Sequence, residues 1–200
     1  MKDRDIFINC PFSTDYKEFF EAIVFVVVRS GFTPRCAREN DDVGDVRFDK
    51  ICRIISECRY GIHDISKTEL DPLSHLPRFN MPLELGLFLG ASKFGGKMQR
   101  QKKTLIFDRA AYRYQTFISD ISGQDIHTHN DELGQLIEQV ASWLRDEAKD
   151  FRVPGGRAIA GEFIEFSAKL PNIANSKRLE RDELTFKDLN EIAIEWILLN

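Results

Sequence analysis

The chain predicts an α/β fold: an open, mainly parallel five-stranded sheet with helices on both faces. Short β-branched and aromatic runs alternate with longer segments whose apolar residues recur at helical spacing, which is the rhythm of strands joined by helical crossovers. The strand-like runs are also apolar nearly throughout, as expected of strands buried on both faces rather than one. Finally, Pro, Gly and acidic residues fall at the joints between runs.

Taken in order, Asp5 to Cys10 in "DIFINCPF" reads as a buried first strand, closed by Pro11, which has no N–H to give a ladder. Tyr16, Phe19, Phe20, Ile23, Val24 and Val27 then fall on one helical stripe, with Gly31 placed for a left-handed C-terminal cap. The run Val26-Val27-Val28 weakens that helix without reversing the reading. "FTPRCA" is a second strand and "RENDDVGD" a loop. Phe48, Ile51, Cys52 and Ile55 form a second stripe with Asp45 as N-cap. "YGIHDIS" makes strand three, with Tyr60 to Ile65 in the sheet interior, and Asn80 to Leu89 makes a helix with Pro82 in its first turn. "KKTLIFD" makes strand four and "QDIHTH" a short strand five. Leu133, Leu136, Ile137, Val140 and Leu144 mark an amphipathic helix with Asn130 as its N-cap.

Right-handed crossovers between parallel strands make this a Rossmann-like (flavodoxin-like) domain over residues 1–150. Residues 151–200 read as a helical C-terminal extension. The stripe Ile159, Phe163, Phe166 and Leu170 and the cluster around Trp196 are expected to pack on the sheet domain or on a second copy, so a homo-oligomer is expected.

The formal net charge is −4 at pH 7, which offers no broad field for a polyanion, and generic nucleic-acid binding is not expected. The run "KMQRQKK" has no interleaved aromatic and reads as a solvated loop. Cys10, Cys36, Cys52 and Cys58 lack the spacing of a structural zinc site and fit free thiols in a reducing cytoplasm. No signal-peptide pattern opens the chain, and the longest apolar run, Ala22 to Val28, is too short to span a bilayer.

Ligands of open parallel sheets bind beyond the carboxyl ends of the strands. That edge collects Asn9, Cys10, Pro11 and Phe12 after strand one, Arg35 and Arg38 near strand two, and Asp64 and Ser66 after strand three. Asn80 and Glu84 belong to the first turns of the next helix. Glu84 is a carboxylate inside an apolar run (Leu83, Leu85, Leu87, Phe88), where a charge is costly unless paired, hydrated or used. Two acids in one cleft, Asp64 and Glu84, suit a sugar: they hold hydroxyls and stabilise an oxocarbenium-like centre as a glycosidic bond breaks. Desolvation by its neighbours would raise the Glu84 pKa and the helix N-terminus would lower it.

"FINCPF", "YGIHDIS" and "FNMPLELGLFLG" resemble motifs of two related groups: the nucleoside 2-deoxyribosyltransferase-like enzymes and the bacterial TIR-like nucleotide-binding proteins. The first resemblance implies a pocket from Pro11 and Phe12, Asp64 and Glu84, with Glu84 as nucleophile. The second implies Glu84 at the ribose when nicotinamide is cleaved from NAD. Both groups act on N-glycosidic bonds, and the similarity spans roughly residues 5 to 130. Cys10 stands where the transferases carry a small Gly, and the loop Lys67 to Phe79 lacks their Gly-rich character.

Each assignment has a plainer competitor. Glu84 could pair with Arg78 or Arg35, Asp64 could merely cap a strand end, and Arg35, Arg38 and Arg47 could be surface charge rather than phosphate ligands. Tyr114 could stack on a base or belong to a packing face. His63 reads as a core or interface residue. His127 and His129 lie on one face of a short strand, with no third ligand in view for a metal. The resulting expectation is an enzyme that cleaves the N-glycosidic bond of a nucleoside, nucleotide or NAD. It needs no cofactor, and NAD itself would be a substrate. The alternative is a non-catalytic nucleotide-sensing module.

Overall fold

The computed structural model describes residues 1–39, 44–70, 75–148 and 153–200. Parts of the loops expected after strands two and three, and the expected boundary at residues 150 and 151, lie outside these residues.

Five strands, β1 (Lys2–Asn9), β2 (Thr33–Cys36), β3 (Cys58–Asp64), β4 (Lys103–Asp108) and β5 (His127–Thr128), form an all-parallel sheet in the order β2-β1-β3-β4-β5. This is the flavodoxin-like order, and its direction of winding reverses between β1 and β3, where the carboxyl ends of those strands leave a crevice. β2 lies at the sheet edge, which is why it tolerates Pro34, a residue that cannot donate to a second neighbour.

Alternation within the strands sorts side chains to two faces. Ile6, Ile8, Tyr60, Ile62, Leu105 and Phe107 pack toward α1 (Lys17–Arg29) and α4 (Leu133–Ala148). Phe7 and Ile106 turn toward α2 (Arg47–Glu57) and α3 (Asn80–Phe94). Gly61 makes the second packing possible: a Cβ there would come 2.5 Å from His63 Nε2 and 2.8 Å from Phe88 Cζ.

The chain end supplies α5 (Gly156–Ser176) and α6 (Phe186–Leu199), which cover the outer side of α1. Phe25 of α1 meets Phe163, Phe166 and Trp196, and the Arg29 guanidinium grips both oxygens of Glu162 at 2.6 and 3.0 Å. Held between the sheet and these helices, α1 is buried continuously from Phe20 to Val27. The valine run is thus a helix buried on every side, a setting in which packing outweighs intrinsic propensity. The expected tail stripe is buried within the same chain, in one core with the sheet.

Gly31 has φ of 75° and ends α1, with Phe32 N–H donating to Val27 O and Gly31 N–H to Val28 O, the paired bonds of a left-handed cap. Two expected caps move. α2 begins after Val46, and Asp45 instead binds Arg53 at 2.5 Å. Asn130 sits in a left-handed turn ahead of α4, where its amide meets Gln135 Oε1. Among the described residues, no helix is long and apolar enough to cross a membrane.

Candidate functional site

At the β1–β3 switch point lies a cleft of about 530 Å³. The turn after β1 forms one wall with Asn9, Cys10, Pro11, Phe12 and Ser13, and the start of α3 forms the other with Asn80, Met81 and Glu84. The Asn9 amide ties these walls together, reaching Met81 O at 2.8 Å and His63 Nδ1 at 3.0 Å. Burial drives His63 down to about 3, so its ring is neutral and accepts at Nδ1 from the Asn9 amide.

Glu84 faces this cleft one turn into α3. It is 7% exposed, and among the described residues its carboxylate makes no hydrogen bond or ion pair. Neither Arg35 nor Arg78 pairs with it. Burial raises its pKa to about 7 against the opposing charge of Arg47, so desolvation outweighs the other influences on this carboxyl. Cys10 lines the same cleft, but burial and the nearby charges of Asp64 and Glu84 push its pKa well up. A thiol held in that state is a poor nucleophile.

Basic and acidic residues share the lining, where Asp15 and Glu69 accompany four cations and Glu69 is paired with Arg109. The cations are Arg38, Arg47, Lys67 and Arg78. Lys67 is held by Asp15 at 2.6 Å, and the Arg38 guanidinium stacks on the Phe12 ring at 4.6 Å. Arg38, Arg47 and Arg78 have no carboxylate partner among the described residues, so the mouth suits an anionic group such as phosphate.

The expected ligand set thus divides. Asn9, Cys10, Pro11, Phe12, Arg38, Asn80 and Glu84 come together, whereas Asp64, Ser66, Arg35 and Tyr114 stand outside the cleft lining. Asp64 is fully buried, and its oxygens are taken by the Tyr16 hydroxyl at 2.5 Å and the Ser66 N–H at 2.8 Å. His129 Nε2 lies 3.1 Å from the same carboxylate, off the line of a hydrogen bond, while its Nδ1 accepts from the Asp131 N–H. Asp64 therefore fastens the turn after β1 to β3 and does not line the cleft. Ser66 is drawn inward by that bond and by Arg113, which donates to its carbonyl at 2.8 Å.

Arg35 is consumed by Asp5, Glu39 and Glu57, with its closest contact to Glu39 at 2.5 Å. Tyr114 is buried in an apolar cluster with Ile65, Met81, Leu85 and Ile106, so it is a packing residue. His127 is occupied by Gln139 at 3.0 Å. Sequence reasoning passed over Lys67, Ser13, Asp15 and Met81 as cleft residues. Their signal was position alone, within a few residues of strand or helix ends that were already assigned.

No protein-family model, curated protein or solved structure matches the chain.

Proposed function

We propose that the protein cleaves the N-glycosidic bond of a nucleoside, nucleotide or NAD, with the Glu84 carboxylate at the sugar. The observation that carries this is an unpaired carboxyl, raised to about 7 by burial, facing a cleft with an arginine-rich mouth. At neutral pH the group divides between its two forms. The ionised form either attacks the anomeric carbon, expelling the base with the bonding electron pair, or stabilises the cationic sugar while water adds. Ionised Glu84, nearly buried, does this better than a carboxylate in water, because less solvent screens it from the developing positive charge. Arg38, Arg47 and Arg78 hold the phosphate end, and Asn9 fixes the two walls between which the sugar lies.

A ligand-sensing module is the second reading, and the withdrawal of Asp64 from the cleft favours it, since the pocket then keeps a single buried acid near the sugar. Glu84 lacks the ion pair that a purely structural carboxylate would have, and this supports the enzyme. The free thiols Cys10, Cys36, Cys52 and Cys58 suit a reducing compartment, and we assign the protein to the cytoplasm.

The test is incubation with NAD, nucleosides and nucleoside monophosphates, followed by mass spectrometry. Free base released from one class is the expected result. A mixture left intact, with one member bound tightly, would instead support the sensor.

A further inference from the structure

The C-terminal stripe is buried within its own chain, yet α3 leaves another one open. Glu84 and Lys93 are the only charged residues among its 15, and a helix apolar on nearly every side is one made to be covered on nearly every side. Its inner face packs on the sheet through Met81, Leu85 and Phe88. On the outer side Leu83, Leu87, Gly90 and Phe94 follow one another at helical spacing, with Gly86 beside them. Phe94 is 89% exposed and Leu83 54%, and Phe79 stands open just ahead of the helix. Neither glycine is required by its own chain: a Cβ at Gly86 would meet nothing within 4 Å, and one at Gly90 only the Phe94 ring at 4.0 Å. A glycine inside a helix costs stability relative to Ala, and here the two leave a flat stretch where another backbone can come close.

Beside the first two turns of α3, a groove of about 270 Å³ opens toward α2, lined by Phe48, Ile51, Leu83 and Leu87, with Glu84 at its edge. The open ring of Phe94 and this groove therefore lie on one stripe, on opposite sides of the two glycines. That is the arrangement of a self-complementary two-fold surface, in which residue i meets residue j and j meets i. We propose that this face holds a second copy of the chain: two α3 helices pack antiparallel across Gly86 and Gly90, and each Phe94 seats in the other copy's groove between α2 and α3. The exposed parts of Phe48, Phe79, Leu83 and Phe94 amount to roughly 600 Å² a side, or about 1,200 Å² for the pair, which reaches the range of a stable interface. α3 carries no charge between Glu84 and Lys93, so closing the pair along that stretch buries no unpaired charge. Glu84 lines this groove as well as the cleft, so the partner's Phe94 closes the carboxyl from its second side. That consequence rests on Glu84 being the working group of the cleft; the pairing itself does not.

Sedimentation of the full chain across about 1–100 µM reads the pairing without any substrate. The wild type should sediment as a dimer at the upper end and Phe94→Asp as a monomer. Their far-UV spectra should be alike, since an exposed residue in the last turn of α3 is not needed by the fold. Leu83→Asp should act in the same direction. Leu198→Asp changes another open apolar residue, on α6, and should leave the dimer in place. To fix the geometry, Phe94 is replaced by the photoreactive p-benzoylphenylalanine, which keeps the ring. Irradiation should join two chains, and mass spectrometry should map the link to residues 47–51 or 80–87 of the other copy. A wild type that is monomeric throughout, a dimer that survives Phe94→Asp, a dimer lost equally in Leu198→Asp, or a link to any other segment overturns the proposal. Release of free base by a monomeric wild type would sink this inference alone. A dimer with the mapped link and no turnover would sink the catalytic reading alone.

Discussion

At the residue scale the chemistry turns on Glu84, and its titration gives two tests with fixed signs. The folded pKa of about 7 lies above the ordinary 4.5, so the protonated form is favoured in the fold. The stability this carries is fully present below pH 4.5 and is lost as pH rises through 7, by up to about 3 kcal/mol. Glu84→Gln keeps the shape and removes the charge. The variant should therefore melt with the wild type at pH 4.5 and above it at pH 8, in paired thermal scans. Its turnover should fall by orders of magnitude with little loss of ligand affinity, because the missing charge acts on the transition state. For the wild type, kcat/KM should rise with pH and level off above about 7, since the ionised carboxylate does the work. A profile that falls through that range would recast Glu84 as a proton donor, and wild-type turnover by Glu84→Gln would make it structural.

Asp64 shows how a second carboxylate, at the end of β3, acquires a different task. Its bonds to Tyr16 and Ser66 hold the turn from Cys10 to Tyr16 against β3, and that turn forms one wall of the cleft. It is a positioning residue. Its place after a strand was readable from the sequence, but its partners were not. Tyr16 is far from it in the chain, and the pairing exists only because the turn after β1 folds over the end of β3.

At the element scale, the central contact is between β3 and α3. The missing side chain at Gly61 lets Phe88 and His63 close over β3, and Phe88 in turn stacks on Phe7 of β1 at 6.5 Å. α3 carries Glu84, so this packing also sets the height of the carboxylate above the sheet. Gly61→Ala would place its Cβ inside van der Waals contact of both rings, and overpacking of this kind costs about 1–3 kcal/mol. Chemical denaturation should show a lower midpoint with an unchanged slope. Activity should fall further than stability alone explains, because α3 is displaced. A variant as stable as the wild type would mean that Phe88 can move aside freely.

At the scale of the whole molecule, the C-terminal helices belong to the main core. α1 has an apolar outer side, and Phe25 finds its partners in Phe163, Phe166 and Trp196. A chain ending at residue 150 would expose that side as a large apolar patch, a setting for aggregation. Such a truncation should lose cooperative unfolding and bind a dye specific for exposed apolar surface. A well-behaved monomer that melts sharply would show that the sheet domain is self-sufficient.

The order of elements, the parallel sheet, the Gly31 cap and the placement of Glu84 at the carboxyl edge were written in the local pattern of the chain. Apolar period, Pro and Gly punctuation and strand-end position are all short-range properties, readable without any distant contact. Tertiary structure alone decided which polar residues were left for a ligand. Arg35 and Arg38 look alike in sequence, yet Arg35 meets three acids from Asp5, Glu39 and Glu57, whereas Arg38 stacks on Phe12 at the mouth. Tyr114 turned inward because an apolar cluster lay beneath it, and Asp64 because Tyr16 reached it. The physical reason is common to all of them. A buried polar group is costly without a partner, and whether one is at hand depends largely on how distant segments pack, whereas a strand or helix is chosen largely by its own neighbours.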